Sequence, residues 1–167
     1  MTDLLAHVLV AYSLCRVLSW RYDWLTSEYV TLGMVGAFIP DILKIQLLVP
    51  DETVARLLGV PFNWDSLQTG GGVIVSVLVG VALLATGQRR RGGLLLGLGA
   101  SSHLVLDEML LTPSHRSGLQ ILWPLAQYRL PSPGLYLSTQ PGPTLVAGGI
   151  AVLVYVLDRQ RPWSADA

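Results

Sequence analysis

The chain has 167 residues, of which 51% are apolar and only 13% charged, and its mean hydropathy is +0.52. Soluble domains carry about 25% charge. This length and composition therefore exclude a disordered chain, a coiled coil and a nucleic-acid arm, and point to a single all-α, polytopic membrane domain. Eleven basic residues balance eleven acidic ones, so no overall field draws polyanions such as nucleic acid.

A bilayer core about 30 Å thick needs roughly 20 mostly apolar residues per helix. On that rule the chain divides into five predicted spans at about 3–20, 29–49, 67–88, 92–111 and 143–157, with an outer loop over 112–142. The first span is expected to be a retained helix rather than a cleaved signal, because Asp3 stands where a signal would be positive and no small-residue cleavage site follows. Cys15 within it is the only cysteine and has no intramolecular disulfide partner. The second span is interrupted by Pro40, Asp41 and Lys44, and a short amphipathic stretch, 51–59, is expected to lie at the interface. The third carries no charge from Ser66 to Gln88, opens on Gly70, Gly71 and Gly72, and runs into Arg89, Arg90 and Arg91. The fourth follows at once, with a Gly97, Gly99, Ala100 stretch suited to close helix packing. The last has Pro143 in its first turn, where a missing donor costs nothing.

Cytoplasmic loops of membrane proteins are enriched in Lys and Arg. Arg89, Arg90, Arg91, Arg159, Arg161 and Arg21 all fall on one side of a five-span count, which predicts the N-terminus outside and the C-terminus in the cytoplasm. Trp123, Tyr128 and Tyr136 are expected to anchor the outer loop at the interface. His115, in the turn Thr112–Arg116, is expected at the surface.

Ionisable side chains inside apolar spans are costly and mark function or paired structure. Counted at about 1.5 Å per residue from the cytoplasmic ends, His103 stands about 18 Å up, Asp107 about 24 Å, and His7 and Asp41 about 21 Å each. Four polar groups on three helices thus reach one layer in the outer half of the membrane. His103 and Asp107, at i and i+4, share a helix face. An imidazole and a carboxylate so placed are candidate ligands and catalytic groups, and His7 and Asp41 would complete a four-ligand N/O shell. Zinc fits such a shell best, with manganese or iron as alternatives. A divalent ion there would lower the pKa of a bound water and polarise an ester or phosphoryl oxygen. Asp3, one turn before His7, is a candidate to orient its imidazole, and Glu108 is a secondary candidate for a base. The competing reading is a polar lock in which the same His and Asp groups hold helices together without a metal.

The order His7, then Gly36-Ala37-Phe38-Ile39-Pro40-Asp41, then Ser102-His103-Leu104-Val105-Leu106-Asp107, then Leu122-Trp123-Pro124-Leu125 resembles the YdjM-like family. These are small membrane proteins of prokaryotic cells, described as predicted, LexA-regulated metal-dependent hydrolases. The resemblance covers His7 to about Pro124 and implies that His7, Asp41, His103 and Asp107 are metal ligands. The scattered His and Asp pattern is also similar, more distantly, to the all-helical site of zinc-dependent phospholipase C. One position departs from the family pattern. A histidine usual at the opening of the third span is replaced within Asp65-Ser66-Leu67-Gln68-Thr69, where Gln68 offers only an amide oxygen.

The expected function is therefore hydrolysis of an ester or phosphoester, lipid or lipid-linked, through a metal-activated water, with the lipid bilayer as the principal partner. The alternative is a non-catalytic membrane protein whose His and Asp layer is structural or only binds metal. A small transporter ranks behind both, since the spans show no inverted repeat.

Overall fold

The computed structural model describes residues 3–111, 120, 122–129, 133–137 and 139–161. Their regular structure is helical: α1 (Asp3–Ser19), α2 (Ser27–Phe38), α3 (Asp51–Leu58), α4 (Gly70–Leu83), α5 (Arg89–Glu108) and α6 (Gly142–Gln160). Three 3-10 segments, Pro40–Leu47, Trp64–Gln68 and Thr86–Gln88, join them. Among the described residues there is no strand, only an isolated bridge between Leu110 and Tyr136. His115 and its turn lie outside the described residues.

Local chemistry sets the breaks. Pro40 has no N–H for the preceding helix, so the backbone tightens into the 3-10 segment, bent 51° from α2. The stretch read as the second span is thus a bent pair of helical segments. The third begins later than its uncharged sequence suggests, because the Thr69 hydroxyl accepts from Gly72 N at 3.1 Å and caps α4 there. It also stops earlier. The Arg89 guanidinium donates to the Leu84 and Ala82 carbonyls at 3.1 and 3.3 Å, meeting acceptors that the end of a helix leaves open. α3 buries none of its residues, and left-handed Gly59 (φ 68°) closes it.

Among the described helices, α6 alone is long and apolar enough to cross a membrane by itself, while α2 and Pro40–Leu47 pass that test only as a bent pair. α1 and α4 are apolar but shorter. The outward faces of α4 (Ile74, Val75, Leu78, Val79) and α6 (Leu145, Val146, Val152, Leu153) expose branched aliphatic side chains, a surface suited to lipid rather than water.

One end of the bundle gathers arginine. Arg16 at the end of α1 pairs with Asp158 at the end of α6, and Trp20 Nε1 donates to the same carboxylate at 2.9 Å. Arg161 stands 5.0 Å from the Trp20 ring, and Arg91 at the start of α5 stands 5.3 Å from Trp24. The C-termini of α1, α4 and α6 therefore share this end with the N-termini of α2 and α5.

Glycine sets the spacing of α2 against α5. A Cβ on Gly99 would lie 1.9 Å from the Gly33 carbonyl oxygen, and one on Gly36 would lie 2.3 Å from that of Leu96. Behind this crossing, a Cβ on Gly33 would meet the buried Cys15 Sγ of α1 at 2.3 Å. Ile39, Val73, Leu96, Ala100 and Leu104 form one core cluster, and Cys15, Leu25, Val30 and Leu95 form another. Two residues of the loop between α5 and α6 make specific contacts with the bundle. Tyr136 is half-buried and donates its hydroxyl to Leu106 O at 2.9 Å, while the Trp123 carbonyl accepts from Gly71 N at 3.0 Å.

The crossing makes Gly99→Ala costly. The methyl group would meet backbone rather than a movable side chain, so a loss of about 1–3 kcal/mol or more is expected, read as a lower melting temperature in detergent. Gly97→Ala, where a Cβ meets nothing within 4 Å, should melt like the parent.

Candidate metal centre

Three helical elements deliver the polar layer. α1 contributes His7, the 3-10 segment after α2 contributes Asp41, and α5 contributes His103 and Asp107. His7 and His103 are 1% exposed, and their rings stack at a centroid distance of 3.9 Å with 14° between planes. Asp107 spans the two. Its Oδ1 lies 3.2 Å from His7 Nε2 and its Oδ2 lies 3.1 Å from His103 Nε2. The ligand-type atoms of His7, His103 and Asp107 all fall within 4.8 Å of one another.

Asp41 sits at the edge of this group. Its Oδ1 is 3.8 Å from His103 Nε2, and its Oδ2 accepts from Lys44 Nζ at 2.6 Å. The four residues predicted from helix depth therefore converge, with Asp41 reaching the cluster through His103. Glu108 follows Asp107 at the end of α5, half-buried and engaged in an interaction of its own. Gln68 ends the 3-10 segment Trp64–Gln68, which packs on the segment carrying Asp41. The side chain of Asp3 lies outside the described residues.

The tautomer of His103 follows from its surroundings. Nδ1 is 2.6 Å from the Ala37 carbonyl oxygen, which can only accept, so Nδ1 carries the proton. In the neutral ring Nε2 is then a bare lone pair, yet it faces oxygens of both Asp107 and Asp41. Lone pairs converging in a buried space repel unless a cation or a proton lies between them. Ligand atoms about 2.0–2.1 Å from a tetrahedral zinc stand about 3.3–3.4 Å apart; here one ligand-type atom from each of His7, His103 and Asp107 falls within 4.8 Å of the others, so an ion would draw the three side chains closer. His7 Nδ1 is buried with no hydrogen-bond partner among the described residues. That is the nitrogen a ligating histidine normally gives to an orienting group.

Sequence reasoning missed two members of this arrangement. The Ala37 carbonyl is a backbone acceptor and has no side-chain signature. Lys44 stood in the sequence only as an interruption of an apolar run.

Among the described residues, helices packed through glycine, an apolar outer surface and a buried His–Asp cluster at the meeting of three elements define an all-helical bundle with a buried polar centre. The chain belongs to the YdjM inner membrane protein family, whose model matches residues 1–165. Membership associates it with the lipid bilayer of a prokaryotic inner membrane. No curated protein and no solved structure matches the chain.

The Ala37 bond makes a spectroscopic prediction. In ring-15N spectra of the purified protein, Nδ1 of His103 should carry the proton whatever occupies Nε2. A neutral ring protonated at Nε2 alone would contradict the geometry.

Proposed function

We propose that this protein is a membrane-embedded, metal-dependent hydrolase of an ester or phosphoester, drawn from the bilayer as a lipid or lipid-linked molecule. The observation that carries this reading is the orientation of His103, whose Nδ1 proton is committed to Ala37 so that its Nε2 lone pair meets the oxygens of Asp107 beside His7. His7, His103 and Asp107 would hold the metal, and an oxygen of Asp41 would be the fourth ligand. Two imidazoles with carboxylates favour zinc, and manganese or iron also accept such a set. When bound, a divalent ion supplies Lewis acidity and a water that ionises near neutral pH.

The chain's own residues prepare that chemistry. Asp107 stands between the two imidazoles, one oxygen facing each Nε2. Ala100 and Leu104, both buried and flanking His103 on α5, limit access of water to the ring from the core side. Preorganisation of this kind avoids reorganising the site during reaction.

In the membrane the chain makes five crossings: α1, the bent pair of α2 with Pro40–Leu47, α4 extended by its flanking 3-10 turns, α5, and α6. The N-terminus is outside and the C-terminus cytoplasmic. Supporting this, Arg16, Arg21, Arg89, Arg90, Arg91, Arg159 and Arg161, seven of the chain's ten arginines, belong to the helix ends gathered on one side. The His–Asp cluster then lies toward the outer face.

Gln68, in place of the histidine expected of the resemblance, favours a second reading in which the cluster binds metal or locks helices without turnover. Hydrolysis assays separate the two. Detergent-purified protein with added zinc or manganese should cleave a chromogenic phosphodiester or carboxylic ester about 100-fold or more faster than His103→Ala, since even outer-shell losses cost 10–100-fold. Equal rates for parent and variant on both substrate types would leave only the non-catalytic reading.

A further inference from the structure

Lys44 is the chain's only lysine, and it stands beside the polar centre rather than at the arginine-rich end. It follows Asp41 by three residues within the 3-10 segment Pro40–Leu47. A 3-10 helix has three residues per turn, so side chains at i and i+3 eclipse. The break at Pro40 thus places the ammonium directly over the carboxylate, with Nζ 2.6 Å from Asp41 Oδ2. Asp41 is inward, its side chain 9% exposed, while that of Lys44 is 37% exposed. The ammonium rests on the inward carboxylate, and the lysine side chain that delivers it stays partly open to the surface. A cation therefore stands at the rim of the centre, one carboxylate away from His103 Nε2.

Charge arithmetic gives this position a meaning. Ligating histidines are neutral, Asp41 and Asp107 contribute two negative charges, a divalent ion two positive ones, and Lys44 one more. Glu108, one residue past Asp107 and about 100° further round the helix, is engaged in an interaction of its own and is not counted with this face. With the bound water not yet ionised, the loaded centre and its rim thus carry one unit of positive charge, in apolar surroundings that penalise uncompensated charge. A monoanion cancels it. A neutral carboxylic ester leaves the excess, and a dianionic phosphomonoester reverses it. A phosphodiester carries a single negative charge at neutral pH, and lysine binds phosphate oxygen as a compact point charge.

We propose that Lys44 is the specificity-determining residue of this site, pairing with a non-bridging oxygen of a phosphodiester and so selecting that class over neutral esters and phosphomonoesters. The proposal rests on the metal-site reading given above and narrows its substrate class. In the reaction, the oxygen of water forms a new bond to phosphorus. The bond from phosphorus to one alkoxy oxygen breaks, and that oxygen leaves as an alcohol carrying one of the water's protons. A phosphomonoester keeps the other. Free phosphodiesters and phospholipid headgroups share this chemistry.

The test uses full-length, zinc-loaded protein in detergent, with metal content by mass spectrometry and binding of dimethyl phosphate by calorimetry. Lys44→Met should keep the parent metal content and bind dimethyl phosphate at least tenfold more weakly, and Lys44→Arg should stay within threefold of the parent. A second arm compares water-soluble glycerophosphoglycerol with phosphatidylglycerol in nanodiscs. The same Lys44→Met loss in either arm supports the proposal, and tighter binding of the nanodisc lipid assigns a lipid source. Unchanged dimethyl phosphate affinity in Lys44→Met overturns the proposal alone, as does a metal-loaded parent that binds no diester. Loss of metal in Lys44→Met also overturns it, because Lys44 would then serve Asp41 rather than substrate. A parent protein that takes up no metal overturns the underlying metal-site reading as well.

Discussion

The hydrogen bond from His103 Nδ1 to the Ala37 carbonyl, 2.6 Å long, joins the packing of the bundle to the chemistry of its centre. It forms only because α2 and α5 approach to backbone contact, and they do so because Gly36 and Gly99 have no Cβ at the crossing. With that approach made, the Ala37 oxygen accepts the Nδ1–H bond and Nε2 turns toward Asp107 and Asp41. In membranes, where lipid is as apolar as a leucine side chain, small residues at helix contacts supply this kind of close packing. The same packing fixes a tautomer, and the tautomer decides what the centre can bind.

The break at Pro40 is the second constraint. A continuous helix through this region would run past the centre, whereas the 51° bend and the switch to 3-10 geometry keep Asp41 beside His103 and set Lys44 over Asp41. The backbone groups freed at the break are tolerated because other elements cover the region, including the Trp64–Gln68 segment packed on it. Beyond the centre, the Tyr136 hydroxyl on Leu106 and the Leu111 N–H on the Tyr136 carbonyl tie a piece of the outer loop to the end of α5, just past Asp107.

Much of the centre was legible in the sequence because helices impose fixed arithmetic. The i, i+4 spacing of His103 and Asp107 is a rule of one helix face, and counting 1.5 Å per residue from the helix ends expected in the cytoplasm brought His7 and Asp41 to the same level. Helix ends were less legible. Ser66–Gln88 reads as one uncharged run, yet the Thr69 cap and the Arg89 bonds to Leu84 and Ala82 confine α4 to its middle. Those bonds depend on where side chains reach in space, which hydropathy does not record. The Ala37 acceptor was invisible for a similar reason, since every residue has a carbonyl. Lys44 was visible as a charge in an apolar run, but its pairing with Asp41 depends on backbone geometry after the proline. The docking of Tyr136 on Leu106 joins residues thirty positions apart, beyond the reach of local pattern.

Metal content is the most direct test of the centre. Detergent-purified protein, reconstituted with zinc, manganese or iron and analysed by mass spectrometry beside Asp107→Ala, should hold one of these metals at near-stoichiometric level in the parent and lose it in the variant. No retained metal in either protein after reconstitution would contradict a metal centre and leave His7, Asp41, His103 and Asp107 as a polar lock between helices.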